Sequence, residues 1–89
     1  LDIRRDPTPE DEELAALVAD RSLPTVVALT KSDKLRWAQR LAQVKAIREK
    51  LPVELEDSQW VVTSARTGEG IPQLRAAIER LTGMEGLWK

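Results

Sequence analysis

Two short apolar runs, each followed at once by a polar loop, constrain this chain more than any other feature. Thr25-Val26-Val27-Ala28-Leu29-Thr30 lies between Pro24 and Lys31-Ser32-Asp33. Gln59-Trp60-Val61-Val62-Thr63-Ser64-Ala65 lies between the polar stretch Glu54 to Ser58 and the loop Arg66-Thr67-Gly68-Glu69-Gly70. Both runs are rich in β-branched residues and lack apolar–polar alternation, the pattern of strands covered on both faces, which belong to parallel sheets. Parallel neighbours need a crossover between them, and the intervening segment supplies one. From about Asp33 to Leu51 the pattern turns helical, with Trp37, Leu41, Val44, Ile47 and Leu51 within roughly 120° of helix arc, and Pro52 ends it.

The flanking segments extend the alternation. Leu1-Asp2-Ile3 reads as the end of a strand too short to be complete, and the chain opens on Leu rather than Met, so truncation is expected. An incomplete opening strand would leave a sheet edge unpaired, predicting dimerisation through that edge, aggregation or marginal stability. The loop Arg4 to Pro9 carries two prolines; Thr8 is placed to cap a helix and Pro9 suits its first turn. Glu10, Asp11, Glu12 and Glu13 crowd the positive end of that helix, Leu14, Leu17 and Val18 form a narrow apolar stripe, and Leu23-Pro24 closes it. After Gly70 a third helix places Ile71, Leu74, Ile78 and Leu81 on one face, with Gly83 as its C-cap and residues 84–89 as a tail. The order strand, helix, strand, helix, strand, helix predicts an α/β domain over residues 1–83. Its parallel sheet has helices on both faces: right-handed crossovers put the first two helices on one face, and the third covers the other. Trp37 and Trp60 are expected in the core, and Trp88 at a partner contact or a loose end.

Composition excludes several chemistries. The 89 residues include no Cys and no His, so thiol catalysis, disulfides, zinc fingers and imidazole bases are absent from this chain. A net charge of -1 gives no global attraction to nucleic acid or anionic membranes. No apolar stretch approaches a membrane span, and a reducing cytoplasm fits the cysteine count.

In open parallel sheets, ligands bind outside the carboxyl ends of the strands, so the loops after the two apolar runs are where chemistry is expected. A carboxylate there, Asp33, can accept parallel hydrogen bonds from guanine N1–H and N2–H, a donor pair adenine lacks. The Lys31 stem can lie along a flat base, and the backbone N–H of Ala65 can bond guanine O6. The plainer reading of Asp33 is a cap for the helix that follows it.

Thr30-Lys31-Ser32-Asp33 resembles the Asn/Thr-Lys-x-Asp guanine motif of the P-loop GTPases of the translation-factor-related (TRAFAC) class, and Thr63-Ser64-Ala65-Arg66 resembles their Ser-Ala-Lys motif. Asp2-Ile3-Arg4, Thr at position 30 and the continuation Asp33-Lys34-Leu35 are similar to the EngB-type ribosome-biogenesis GTP-binding proteins, also called YihA or YsxC. The resemblance covers nearly the whole chain and corresponds to the C-terminal half of such a Ras-like GTPase domain. It implies binding of GTP and GDP, with Thr30, Lys31, Asp33, Ser64 and Ala65 forming the guanine pocket. It also implies a cytoplasmic parent protein that acts in assembly of the large ribosomal subunit. Arg66 stands where the second motif often carries Lys, and Thr30 replaces the more widespread Asn. No G-x-x-x-x-G-K-[ST] and no Asp-x-x-Gly occurs, so Mg²⁺ and phosphate binding are expected only with an N-terminal half, and no GTP hydrolysis is expected from this chain alone. Gly68 and Gly70 read as loop punctuation, not as a phosphate cradle.

A second class of function competes with this one: a small α/β module that binds a protein or RNA and no nucleotide. Lys31 to Lys50 contains seven basic and two acidic residues. On a helical wheel these basic residues flank the apolar stripe on both sides instead of forming one face, which weakens an RNA role for the helix.

Overall fold

The computed structural model describes residues 1–84. Its elements in chain order are α1 (Pro9–Asp20), β1 (Val27–Leu29), α2 (Trp37–Lys50), β2 (Trp60–Val62) and α3 (Ile71–Thr82), with 3-10 turns at Ser32–Lys34 and Asp57–Gln59. β1 and β2 are parallel, Val27 opposite Trp60 and Leu29 opposite Val62. The opening segment joins the far side of β1 through a parallel bridge between Asp2 and Thr30. There the Thr30 N–H donates to Leu1 O at 2.6 Å, and the Ile3 N–H donates to Thr30 O at 3.0 Å. This is the α/β alternation expected from the sequence, with ordered strands shorter than the apolar runs. Among the described residues no helix is long and apolar enough to cross a membrane.

Local chemistry accounts for the element ends. The Thr8 hydroxyl accepts from the Asp11 N–H at 3.1 Å, and the Asp11 carboxylate accepts from the Thr8 N–H at 2.9 Å. This reciprocal cap satisfies two otherwise orphaned donors at the start of α1, where Glu10, Asp11 and Glu12 complement the helix dipole. Gly83 ends α3 in the left-handed conformation at φ 70, as a C-cap glycine does. α2 starts later than the periodicity suggested. Ser32–Lys34 closes a 3-10 turn, and Leu35 is extended at φ -120, ψ 145, so the helix begins only at Trp37.

The core forms where α1 and α2 meet one face of the sheet: Ile3, Ala15, Leu29, Ile47 and Leu51 are buried together, with Val27, Trp60 and Val62 packed against them. Strand alternation turns Val61 to the opposite face, where it and Ala77 of α3 are both buried. The expected placement of two helices on one face and the third on the other therefore holds. Covering is incomplete, however. β1 is buried only at Leu29, and Leu14 of α1 is 62% exposed. Trp60 packs on the core as expected, with the Arg48 guanidinium 5.3 Å from its ring centre. Trp37 does not: it is 69% exposed, and Leu41 on the next turn of α2 is 63% exposed. Trp88 lies outside the described residues.

Gly70 is the tightest point of the backbone. It has φ +75, and a Cβ built on it would lie 1.8 Å from Val62 O. Gly68, also left-handed at φ +82, has nothing within 4 Å of such a Cβ. Gly70→Ala is therefore expected to cost about 3 kcal/mol or more, and Gly68→Ala only about 1 kcal/mol, in urea denaturation. By the same measurement Ile47→Ala costs about 3 kcal/mol through its cavity, while Trp37→Ala stays below about 1 kcal/mol.

Candidate functional site

The pairing of β1 with β2 continues beyond the strand ends and brings two loops together. The Thr63 N–H donates to Leu29 O at 2.8 Å, and one step further the Ser32 N–H donates to Thr63 O at 3.0 Å. Loop 30–36 and loop 63–70 thus lie side by side at the carboxyl edge of the sheet, where an open α/β sheet places its ligands. Lys31 makes the junction in the left-handed conformation, φ 62 and ψ 35. A side chain in that region costs on the order of 1 kcal/mol, and such strain concentrates at functional sites.

The motif residues are disposed as follows. The Ser64 hydroxyl, fully buried, donates to Asp33 Oδ1 at 2.7 Å and accepts from the Thr67 N–H at 3.2 Å. That hydroxyl is the main cause holding the Asp33 carboxyl below its ordinary value, with Lys34 and Arg66 adding smaller electrostatic contributions. Asp33 is half-buried and ionised at neutral pH, and a carboxylate offers about four acceptor positions, so bonding to Ser64 leaves capacity for a ligand. It does not cap α2, whose N-cap is Arg36. Ala65 is exposed, and among the described residues no group accepts from its N–H. Lys31 is exposed, with Nζ 3.6 Å from Asp2 Oδ2. Thr30 faces the other way: its hydroxyl donates to Leu1 O at 3.0 Å, bracing the opening segment and not the Asp33 side. The structure therefore brings Asp33 and Ser64 into contact, puts the Ala65 N–H in the adjoining loop, and gives Thr30 a different neighbour.

Three further residues belong to this edge. Asp2 receives the Arg4 N–H at 2.9 Å, Arg4 Nε at 3.1 Å and Arg4 Nη2 at 2.8 Å, and these bonds hold its carboxyl far below the usual range. Glu69 accepts from the Ser32 hydroxyl at 2.5 Å and from Arg40 Nη1 at 2.9 and 2.8 Å. The Ser32 bond, followed by the Arg40 contacts, depresses its carboxyl below the ordinary glutamate value. Arg40 Nε reaches Ser32 O at 2.9 Å and Leu35 O at 3.3 Å. Sequence reasoning passed over Glu69 and Arg40 because one sits between two loop glycines and the other on the flank of an amphipathic helix, positions that carry no periodic signal. The basic character of α2 is also largely answered within the chain, since Arg48 pairs with Asp57 at 2.9 Å and Lys50 with Asp6 at 2.8 Å.

Comparison with known proteins gives this edge a context. No protein-family model matches the chain. Curated proteins named "Probable GTP-binding protein EngB" do match it. The one from Gemmatimonas aurantiaca is 40% identical over 84 residues, 94% of this chain and 40% of the relative. That of Desulfitobacterium hafniense is 36% identical over 90 residues, 96% of this chain and 42% of the relative. That of a Geobacillus strain is 32% identical over 80 residues, 90% of this chain and 41% of the relative. The chain spans about two fifths of the length of these relatives. With this similarity running along nearly all of it, and with parallel strands feeding paired loops at one sheet edge, the chain is an EngB-type segment with the α/β architecture of a P-loop GTPase fold.

Proposed function

We propose that the edge formed by loops 30–36 and 63–70 reads a guanine base, and that the chain is the base-specificity part of a protein that binds GTP and GDP. The observation that carries this reading is the 2.7 Å bond from Ser64 to Asp33. It joins the two motif loops and orients a carboxylate beside an exposed backbone N–H at Ala65. Asp33 accepts from guanine N1–H and N2–H, the Ala65 N–H donates to O6, and the Lys31 stem covers the base plane. Adenine, with no N1–H and no acceptor at C6, would leave both protein groups unpaired, which is the strongest form of discrimination a small site can have. The relatives' name supports guanine nucleotide as the ligand.

Phosphate and Mg²⁺ would be held by sequence outside this segment, since it contains neither a Gly-rich Lys loop nor an Asp-x-x-Gly. Residues 1–83 then form the C-terminal half of the GTPase domain. Action of a cytoplasmic parent protein on the large ribosomal subunit is part of the same reading and rests on the EngB resemblance. Dimerisation of the isolated segment rests on the outer edge of the short Leu1-Asp2-Ile3 bridge.

The test is a titration of the ¹⁵N-labelled chain with 5′-GMP and 5′-AMP. Binding through a base edge alone should fall in about the millimolar range, with the Ala65 amide moving for GMP and not for AMP. Asp33→Asn exchanges one acceptor for a donor and should shift preference to 5′-XMP, whose C2 carbonyl accepts where guanine donates. Because Asp33 is held below its ordinary value, GMP preference should be constant from about pH 8 down to about pH 5. Equal response to GMP and AMP would remove the guanine reading and favour an interaction module that binds no nucleotide.

A further inference from the structure

The bond from Ser64 to Asp33 is a single hydroxyl contact across two loops, and a base site needs its donor and acceptor groups held to within a fraction of an ångström. A second and stronger tie lies behind it. The Glu69 carboxylate takes the Ser32 hydroxyl from the first loop, while its own backbone carbonyl takes the Ser64 N–H of the second at 2.9 Å. Arg40 closes the arrangement from α2. One nitrogen sits on both Glu69 oxygens, and Nε holds the backbone carbonyls of Ser32 and Leu35 on either side of Asp33. The Arg40 side chain is 17% exposed, and its guanidinium lies 5.6 Å from the centre of the Trp37 ring. That contact sets the exposed Trp37 within cation–π distance of the guanidinium.

We propose that Glu69 and Arg40 are positioning residues for base selection, setting the distance between the Asp33 carboxylate and the Ala65 N–H. This rests on the guanine reading above. Neither residue touches the base; they act through Ser32 and Ser64, the neighbours of the two groups that do. A partly shielded ion pair with charge-assisted hydrogen bonds resists loop separation better than a neutral contact. With the pair cut, the loops remain connected through the Ser32 N–H and the Ser64 hydroxyl but gain freedom to vary the spacing. A loosened site still admits a flat base, so selectivity is lost before binding.

The experiment is the GMP and AMP titration repeated on Glu69→Ala and Arg40→Met, with Ile47→Val as control. Ile47→Val weakens the packing of α2 on the sheet without removing any hydrogen bond between the loops. Both site variants are expected to lower the GMP-to-AMP affinity ratio by about tenfold, with residual GMP binding converging on that of AMP, while Ile47→Val keeps the wild-type ratio. Glu69→Gln, which retains an oxygen for Ser32 but gives up the ion pair, carries the test if Glu69→Ala does not fold, with an expected loss of about threefold. A ratio within about twofold of wild type in folded Glu69 and Arg40 variants, or an equal fall in Ile47→Val, overturns the positioning role and leaves the guanine reading intact. A wild-type chain with no GMP preference overturns both.

Discussion

Everything at the carboxyl edge of this sheet depends on one backbone register. Val27 opposite Trp60, continued through Leu29 opposite Val62, puts the Thr63 N–H on Leu29 O and then the Ser32 N–H on Thr63 O. A slip of one residue would turn Leu29 away from the core and would also separate Asp33 from Ser64. The hydrophobic core and the candidate site are therefore two consequences of the same alignment. Burial of Leu29 and Ile3 beneath α1 and α2 supplies the selectivity for that register, because a slipped alternative would expose them.

The fold class was legible because its signals are local and redundant. Two β-branched runs, a threonine and proline ahead of an acidic helix start, and a glycine after the third helix each name an element from neighbouring residues alone. Asp33 and Ser64 were legible for a different reason: parallel pairing brings the ends of neighbouring strands to one edge, and the resemblance of Thr30-Lys31-Ser32-Asp33 and Thr63-Ser64-Ala65-Arg66 to guanine motifs singled these two residues out there. Glu69 and Arg40 were not, since their meaning arises from contacts between loop and helix far apart in sequence. Trp37 misled because a helical wheel assumes a partner along the whole helix, whereas Trp37 and Leu41 at the start of α2 are exposed and burial is reached only at Ile47. Thr30 kept its place after the strand, but its hydroxyl is committed to Leu1, a contact set by the bridge at Asp2.

The charge distribution carries a related lesson. A cluster of basic residues between Lys31 and Lys50 invites a polyanion partner when counted, yet Arg40, Arg48 and Lys50 each face a carboxylate from elsewhere in the chain. The pairs formed by Arg48 and Lys50 are exposed enough to contribute little to stability, so their main effect is to reduce the positive potential along α2. Arg40 differs in kind, since most of its guanidinium is turned inward and its hydrogen bonds reach backbone as well as carboxylate.

The short parallel sheet also has a kinetic side. Both neighbours of β1 reach it only after a helix has intervened, Asp2 through α1 and β2 through α2, so among the described residues no hairpin nucleates the sheet. Each pairing must close a long loop before any ladder bond rewards it, while the reciprocal cap at Thr8 and Asp11 can form at once. The contacts within each helix are local, whereas those of the sheet are not. Until the helices dock, the apolar runs that will become β1 and β2 are unpaired together, which makes the interval before docking the time at which this chain is most open to association with another copy of itself.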